Sequence, residues 1–494
     1  MAGASSGAAG SATAQEHWSS RWAFIMAAVG SAVGLGNLVR FPAEVGANGG
    51  GAFVIFYILC VVLIGLPVLL SETLIGRHGQ SSAIESVKNV AAESGASRWW
   101  SLAAGVGMIA AFLILTYYSV LAGWIVYFIG IFGSDVAGAI GSGDIGGGAL
   151  TGRSVEDVQA ILPGLQADPA TMLVMHAIFM AITVFIVARG VLGGIEKVAV
   201  YLMPAFFVLI AGITIYGAFT GAFSSALEFL FAFEPARLLD PTVQLSALGQ
   251  ALFSLSLGSA LMITYGAYAS RDTNLAKTSA QIASADTSVA IIAGLAIFPI
   301  MFAAMAPGVL DAVLAGEEEV QGGLGLLFIN LPVAFQSMPA GSLIGFLFFI
   351  MVFFAALTSS VSLLEASVSW AKRRFGVSRL STTLVLGGIA FLIGAWASFS
   401  FNSQAEFQPL DFLIFSGQPV FGIIDELTAK IMLPISALLV AIFVGWVADK
   451  RLIDSENGLD GGLHKFWRFL IRWLCPLVIT AILVSGLFPG LLGQ

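Results

Sequence analysis

Charge is what this chain lacks most. Of 494 residues only 10% are charged, 21 Lys+Arg against 29 Asp+Glu, whereas 58% are hydrophobic. Soluble domains carry about 25% charged residues, so a soluble protein of this length would hold more than twice as many. A cytosolic enzyme is thereby excluded. Basic residues are the scarcer sign: the net charge is −8 and the pI near 5.0, which excludes a nucleic-acid binder that needs a cationic face against phosphate. Cysteine is nearly absent. Cys60 and Cys475 both lie in apolar runs, which argues against a disulfide framework or a zinc site. No basic n-region precedes an apolar stretch at the start, so residues 1–15 read as a tail rather than a secretory signal. The long hydrophobic runs and the mean hydropathy of +0.95 that remain describe an all-α integral membrane protein.

A helix needs about 20 apolar residues to cross the hydrocarbon core. On that ruler the sequence predicts eleven spans, centred near Gly34, Ile64, Leu115, Ala181, Leu209, Leu257, Ala293, Phe353, Ile389, Leu438 and Ile479. Residues 310–339, interrupted by glycines and prolines, read as an extracellular helical hairpin. Lys and Arg mark the cytoplasmic side. One set of loops holds Arg77, Lys88, Arg98, Arg189, Lys197, Arg271, Lys277, Lys372, Arg373, Arg374, Arg379, Lys450 and Arg451, and the opposite set only Arg153 and Arg237. The expected N-terminus is cytoplasmic, the C-terminus outside.

Two spans differ from the rest. The first contains Gly30-Ser31-Ala32-Val33-Gly34-Leu35-Gly36-Asn37 followed by Arg40-Phe41-Pro42; the sixth contains Phe253-Ser254-Leu255-Ser256-Leu257-Gly258-Ser259. Glycines and hydroxyls at mid-membrane lower helix propensity, and an opened backbone is tolerated there only where it lines a protein cavity. Close helix packing through small residues is the competing reading. Asn37 and Arg40 within the same span, and the matching position of the two interruptions if spans 1–5 and 6–10 are repeats, point to a transporter site.

Glu16-His17-Trp18, the run Gly30 to Pro42, Asn48 to Phe53, Thr116-Tyr117-Tyr118, Gly249-Gln250 to Gly258, and Ala355 to Ser360 closely resemble the neurotransmitter:sodium symporter family. The resemblance covers nearly the whole chain. It implies a LeuT-like fold: a cytoplasmic tail (1–19), inverted five-helix repeats (20–220 and 240–449) with broken helices 1 and 6, and an eleventh span (465–490). It also implies sodium-coupled amino-acid import, with no enzyme activity.

Sodium is a hard cation that takes oxygen ligands, as calcium and magnesium do. In span eight Ala355, Thr358 and Ser359 sit at i, i+3 and i+4, presenting a carbonyl and two hydroxyls on one face. The resemblance joins these to the carbonyls of Gly30 and Val33 as one sodium site; such a Thr-Ser pair can instead bond back to its own helix. It assigns a second sodium site to Ala32, Asn37, Ser254 and Asp286 with the substrate carboxylate. The half-helix starting at Leu35 and Gly36 offers N–H groups and a positive dipole end to a carboxylate, with Tyr118 as a further donor. Carbonyls of Ala32, Phe253 and Ser254 and the Ser256 hydroxyl suit an ammonium, and Ser31, Ile114, Ser259, Ser359 and Leu363 complete the implied pocket. Gly34 stands where monoamine carriers of the family place an aspartate, so the substrate should bring its own carboxylate. Ser259 replaces a family aromatic, which points to a large aliphatic or aromatic side chain.

The resemblance further implies gates. Arg40 and Asp425 form an outer ion pair, with Asp411 a competing partner for Arg40, and Tyr118 and Phe253 form a lid. Trp18 and Tyr268 close the inside, although the family's inner ion pair falls here on Gln15 and Arg373. Glu72 matches an acid bracing span six, or is an interfacial solvated acid. Asp286 replaces the asparagine of chloride-dependent relatives, near Tyr57 and Gln250, so chloride independence is expected. Implied partners are an amino acid, two sodium ions and the bilayer, expected to be a bacterial inner membrane, with a homodimer left open and no nucleic acid. The rival reading is an amino-acid receptor without net transport, which would be expected to carry a soluble output domain.

Overall fold

The computed structural model describes residues 16–219, 222–232, 235–314, 323–403, 405–410 and 413–488. Residues 1–15 of the expected tail, part of the 310–339 hairpin and Asp411 lie outside them. The described part of the hairpin is two short helices, Pro307–Leu314 and the pair Leu326–Asn330 and Leu331–Ser337.

Among the described residues nine helices are long and apolar enough to cross a membrane, and a tenth crossing is made if a bent pair counts as one. Three of them begin at a side-chain cap that the sequence offers. Asp168 accepts from the amides of Ala170 and Thr171 ahead of Pro169–Ala188, Asn274 caps Leu275–Ala303, and Ser378 caps Arg379–Ser398. Gly376, in the left-handed region, ends the long helix Gly341–Phe375.

The bent pair is Arg21–Ala32 and Gly36–Ala47, which meet at 50°. Val33 at the break is extended, and the second piece starts as a widened π turn over Gly36–Arg40. The stretch centred near Leu257, expected as one of eleven spans, is two short helices, Pro241–Ser254 and Leu261–Ala267. Between them Ser256, Gly258 and Ala260 take φ of 53°, 72° and 60°. Left-handed backbone costs a non-glycine residue about 1–2 kcal/mol, so Ser256 and Ala260 are held there by their surroundings. Neither piece alone is long enough to span.

The two broken segments sit at the centre. Helix Leu102–Ser142 packs along Gly341–Phe375, and Leu261–Ala267 packs along Leu66–Gly79. This last contact is backbone on backbone: a Cβ on Gly76 would strike the Ile263 carbonyl and one on Gly266 the Thr73 carbonyl. The apolar window of Arg98–Ser142 is 78% buried inside the protein, against 28% for Val191–Ala218 and 33% for Gly461–Leu487, which identifies the latter two as lipid-facing. Cys60 and Cys475 are buried, free thiols.

Candidate functional site

The two helix breaks and the middle of helices Leu102–Ser142 and Gly341–Phe375 enclose a cavity of about 50 Å³. Every residue of the implied substrate set lines it except Ser254, and Leu261 and Leu433 join them. The Leu35 amide donates to the Tyr118 hydroxyl at 3.4 Å, and the Gly34 amide to Asn37 Oδ1 at 3.1 Å. Gly34 has no room to spare: a Cβ there would lie 2.7 Å from Ser359 Oγ and 3.0 Å from the Tyr118 hydroxyl. Ser256 Oγ donates to the Ser31 carbonyl at 3.3 Å, tying the two breaks together.

Ser254 is instead turned to the other side of its helix, into a polar cluster with no exposed member. Ser254 Oγ donates to Asp286 Oδ2 at 2.6 Å, while Asn37 Nδ2 donates to Asp286 Oδ1 at 2.9 Å and to Ser254 Oγ at 3.0 Å. The Tyr57 hydroxyl adds a bond to Ser254 Oγ at 3.3 Å, and Gln250 Nε2 donates to the Gly36 carbonyl at 2.8 Å. Ala32, at the end of the first helix, lines the adjoining cavity. Asn37, Ser254 and Asp286 are thus in mutual contact, with Asn37 facing the other two through its amide nitrogen while its Oδ1 accepts from the Gly34 amide.

On the opposite flank Ser359 Oγ reaches across to the carbonyls of Val33 and Gly30 at 2.9 and 3.2 Å. Thr358 Oγ1 bonds within its own helix, to the carbonyls of Phe354 and Ala355, each at 3.1 Å. Thr358 is nevertheless close to the first helix, because a Cβ on Gly30 would lie 3.0 Å from its Cβ. Glu72 is fully buried and accepts from the Gly258 amide at 2.7 Å, bracing the break in the sixth segment.

Above the cavity lies a vestibule of about 800 Å³ lined by Arg40, Phe253 and Asp425, among others. Among the described residues the expected Arg40–Asp425 pair is not made. Arg40 pairs with Glu44, one turn further on, at 3.4 Å, and lies 4.7 Å over the Phe253 ring. Glu44 is favoured because it shares Arg40's helix, whereas Asp425 lies across the open vestibule.

Below the cavity the structure is closed. Trp18 is buried, its indole donating to the Tyr265 carbonyl and its amide to the Tyr268 carbonyl, each at 3.1 Å. Gln15 lies outside the described residues, and Arg373 donates to Ser81 Oγ at 3.3 Å. A different set of charges does the closing. Glu16 pairs with Arg379 at 3.2 Å and Lys372 at 3.1 Å and accepts from the Val191 amide at 3.1 Å. Arg379 also pairs with buried Glu365, which accepts from the Tyr268 hydroxyl at 2.7 Å. Burial pushes the Glu16 carboxyl upward, but Arg379, the Val191 amide and Lys372 together hold it below its ordinary value. Sequence spacing gave no sign of this network beyond Glu16 itself, which lies in the Glu-His-Trp motif.

The sequence profile of the sodium:neurotransmitter symporter family matches residues 15–137 and 156–489. The chain belongs to this family. This symporter is therefore a multi-pass membrane transporter that uses sodium, not an enzyme. It is 33% identical over 477 residues to YhdH, an uncharacterised sodium-dependent transporter of Bacillus subtilis, covering 95% of this chain and 97% of that one. Sodium-dependent nutrient amino acid transporter 1 of Drosophila yakuba is 25% identical over 541 residues, covering 95% and 77%. Among solved structures, MhsT in complex with L-phenylalanine superposes on the symporter with a TM-score of 0.82 at 36% identity, covering 95% of this chain and 99% of that one.

Proposed function

We propose that this protein imports amino acids by sodium-coupled symport. The observation that carries the reading is the cavity lined by the break at Val33-Gly34 and its flanks from Ser31 to Gly36, with the Asn37–Ser254–Asp286 cluster on one flank and Ser359 on the other. Its polar groups suit a zwitterion: the positive end of the half-helix Gly36–Ala47 and the Tyr118 hydroxyl take the carboxylate, and Ser256 with neighbouring carbonyls takes the ammonium. Gly34 leaves no acid to replace a substrate carboxylate. The names of the Drosophila relative and of the phenylalanine-bound MhsT agree with an amino-acid substrate.

Two sodium ions bind in this reading, one at Ala32, Asn37, Ser254 and Asp286, the other at Gly30, Val33, Ala355, Thr358 and Ser359. The chain crosses the membrane eleven times, residues 241–267 forming one broken crossing, as two inverted repeats (20–220 and 240–449) and a final span. Its N-terminus faces the cytoplasm and its C-terminus the outside of a bacterial inner membrane. Trp18 and Tyr268 close the inner side. Arg40 meets Asp425 when the outer side closes, exchanging Glu44 for it, over a lid of Tyr118 and Phe253. The preferred side chains are large, aliphatic or aromatic, and chloride is not needed.

The test is binding of the twenty amino acids to purified protein, with and without sodium. Sodium-dependent binding of leucine, phenylalanine or tryptophan is the expected result. Glycine and alanine outcompeting all three would overturn the side-chain preference, and no sodium-dependent binding at all would overturn the reading.

A further inference from the structure

The vestibule and the cavity adjoin. Among the described residues two line both spaces: Phe253, near the end of helix Pro241–Ser254, and Leu433, the first residue of helix Leu433–Ile442. Phe253 is already accounted for as the lid. Leu433 has no role in the account so far.

Its backbone is fixed. Gly258, at φ 72°, lies so close that a Cβ there would strike the Leu433 carbonyl and come within 3.0 Å of the Ala437 amide. Gly107 backs the same stack, a Cβ there lying 2.8 Å from Ser436 Oγ, and Ser436 in turn donates to the Ala103 carbonyl at 2.8 Å. A widened π turn over Leu427–Met432 precedes Leu433, and Pro434 follows it. Proline has no N–H and its ring crowds the carbonyl four residues back, a sufficient reason for the widening. With the main chain pinned, the freedom left at this position is that of the side chain.

That freedom has a direction. Beyond Ser256 and Ser259 the cavity wall is aliphatic, made by Ile114, Leu261, Leu363 and Leu433. The first three face the 50 Å³ cavity and not the vestibule, whereas Leu433 has about 800 Å³ of vestibule at its back. A long substrate side chain entering this end meets four apolar walls, of which one can turn away into open space.

We propose that Leu433 is a specificity-determining residue, whose side chain sets the longest amino-acid side chain that fits beneath Phe253. The inference rests on the amino-acid reading above. In an apolar pocket a single methylene discriminates by roughly 10- to 200-fold, so changes of size at 433 should be read directly in the substrate series.

The experiment is competition binding in sodium with alanine, norvaline, norleucine, phenylalanine and tryptophan, on wild type, Leu433→Ala, Leu433→Val and Leu433→Phe. Leu433→Ala should raise the affinity for the longest members relative to alanine by about tenfold or more, with Leu433→Val intermediate. Leu433→Phe should shift the ratio the other way. If Leu433→Phe does not fold, as judged by thermal unfolding, the graded order of the leucine, valine and alanine proteins still decides. Affinity ratios that stay constant across the variants, whether the absolute values move or not, overturn the proposal. Wild-type protein that binds no amino acid in sodium would instead sink the amino-acid reading.

Discussion

Ser359 and Val33 lie 326 positions apart and are joined by a hydrogen bond of 2.9 Å from hydroxyl to carbonyl. The bond ties the continuous helix Gly341–Phe375 to the break in the first segment. It places a hydroxyl oxygen against the carbonyl oxygens of Val33 and Gly30, where a bound cation would turn the hydroxyl proton away and take the lone pairs. Thr358, bonded at present to carbonyls of its own helix, is one rotamer change from joining them.

Replacing both hydroxyls, Thr358→Ala with Ser359→Ala, should therefore abolish sodium-dependent amino-acid binding while the protein still expresses and folds. Binding titrated against sodium measures this. Unchanged sodium affinity in the double variant would mean that the hydroxyls serve helix packing alone.

Chloride should be dispensable. The Asp286 carboxylate occupies the centre of the cluster formed by Asn37, Ser254 and Tyr57, with one bond to each of its oxygens from Asn37 and Ser254. A chloride about 4 Å away would be repelled by about 4 kcal/mol at an effective dielectric near 20. Sodium-driven uptake with gluconate replacing chloride should run at the same rate. A severalfold loss, restored by returning chloride, would show that the fixed charge is not there when the transporter works.

The inner closure should depend on Glu16. Its two ion pairs are half-buried and worth up to about 1 kcal/mol each, so Glu16→Gln should speed amide exchange of the segment around Trp18 by roughly fivefold to thirtyfold. Glu365→Gln should do more, because its charge is fully buried against Arg379 and breaking such a pair costs about 3–5 kcal/mol. The pH dependence has a definite sign. Glu16 titrates below its ordinary 4.5, so its contribution is complete above that value and fades as the pH falls through the depressed one. Exchange corrected for its intrinsic rate should be flat between neutral pH and that limit. A rise in exchange already at about pH 6 would assign the latch to another group.

Much of this was legible in the sequence because the breaks are written in residue type. The small residues of Gly30 to Gly36 and Ser254 to Ser259 mark where the helices break, at Val33-Gly34 and between Leu255 and Ala260, and the cavity forms where those breaks meet Tyr118 and Ser359. What was hidden is of two kinds. Leu261 and Leu433 are leucines among leucines, and only its place between vestibule and cavity distinguishes Leu433 from its neighbours. The partners that the charges at the two ends take here were not legible either, because pairing is settled by distance. Arg40 takes Glu44 because it is one turn away, and Glu16 takes Arg379 across 363 positions because the stretch ahead of helix Arg21–Ala32 lies against the start of helix Arg379–Ser398. Around Leu257 the expected break takes the form of three left-handed residues, Ser256, Gly258 and Ala260, a geometry that residue type alone did not specify.

The most direct measurement of the central claim is uptake of labelled leucine, phenylalanine and tryptophan into vesicles reconstituted with the protein, under an inward sodium gradient. The account predicts accumulation above equilibrium for at least one of them, collapsing when the gradient is dissipated. Equal uptake with potassium or choline in place of sodium would contradict it.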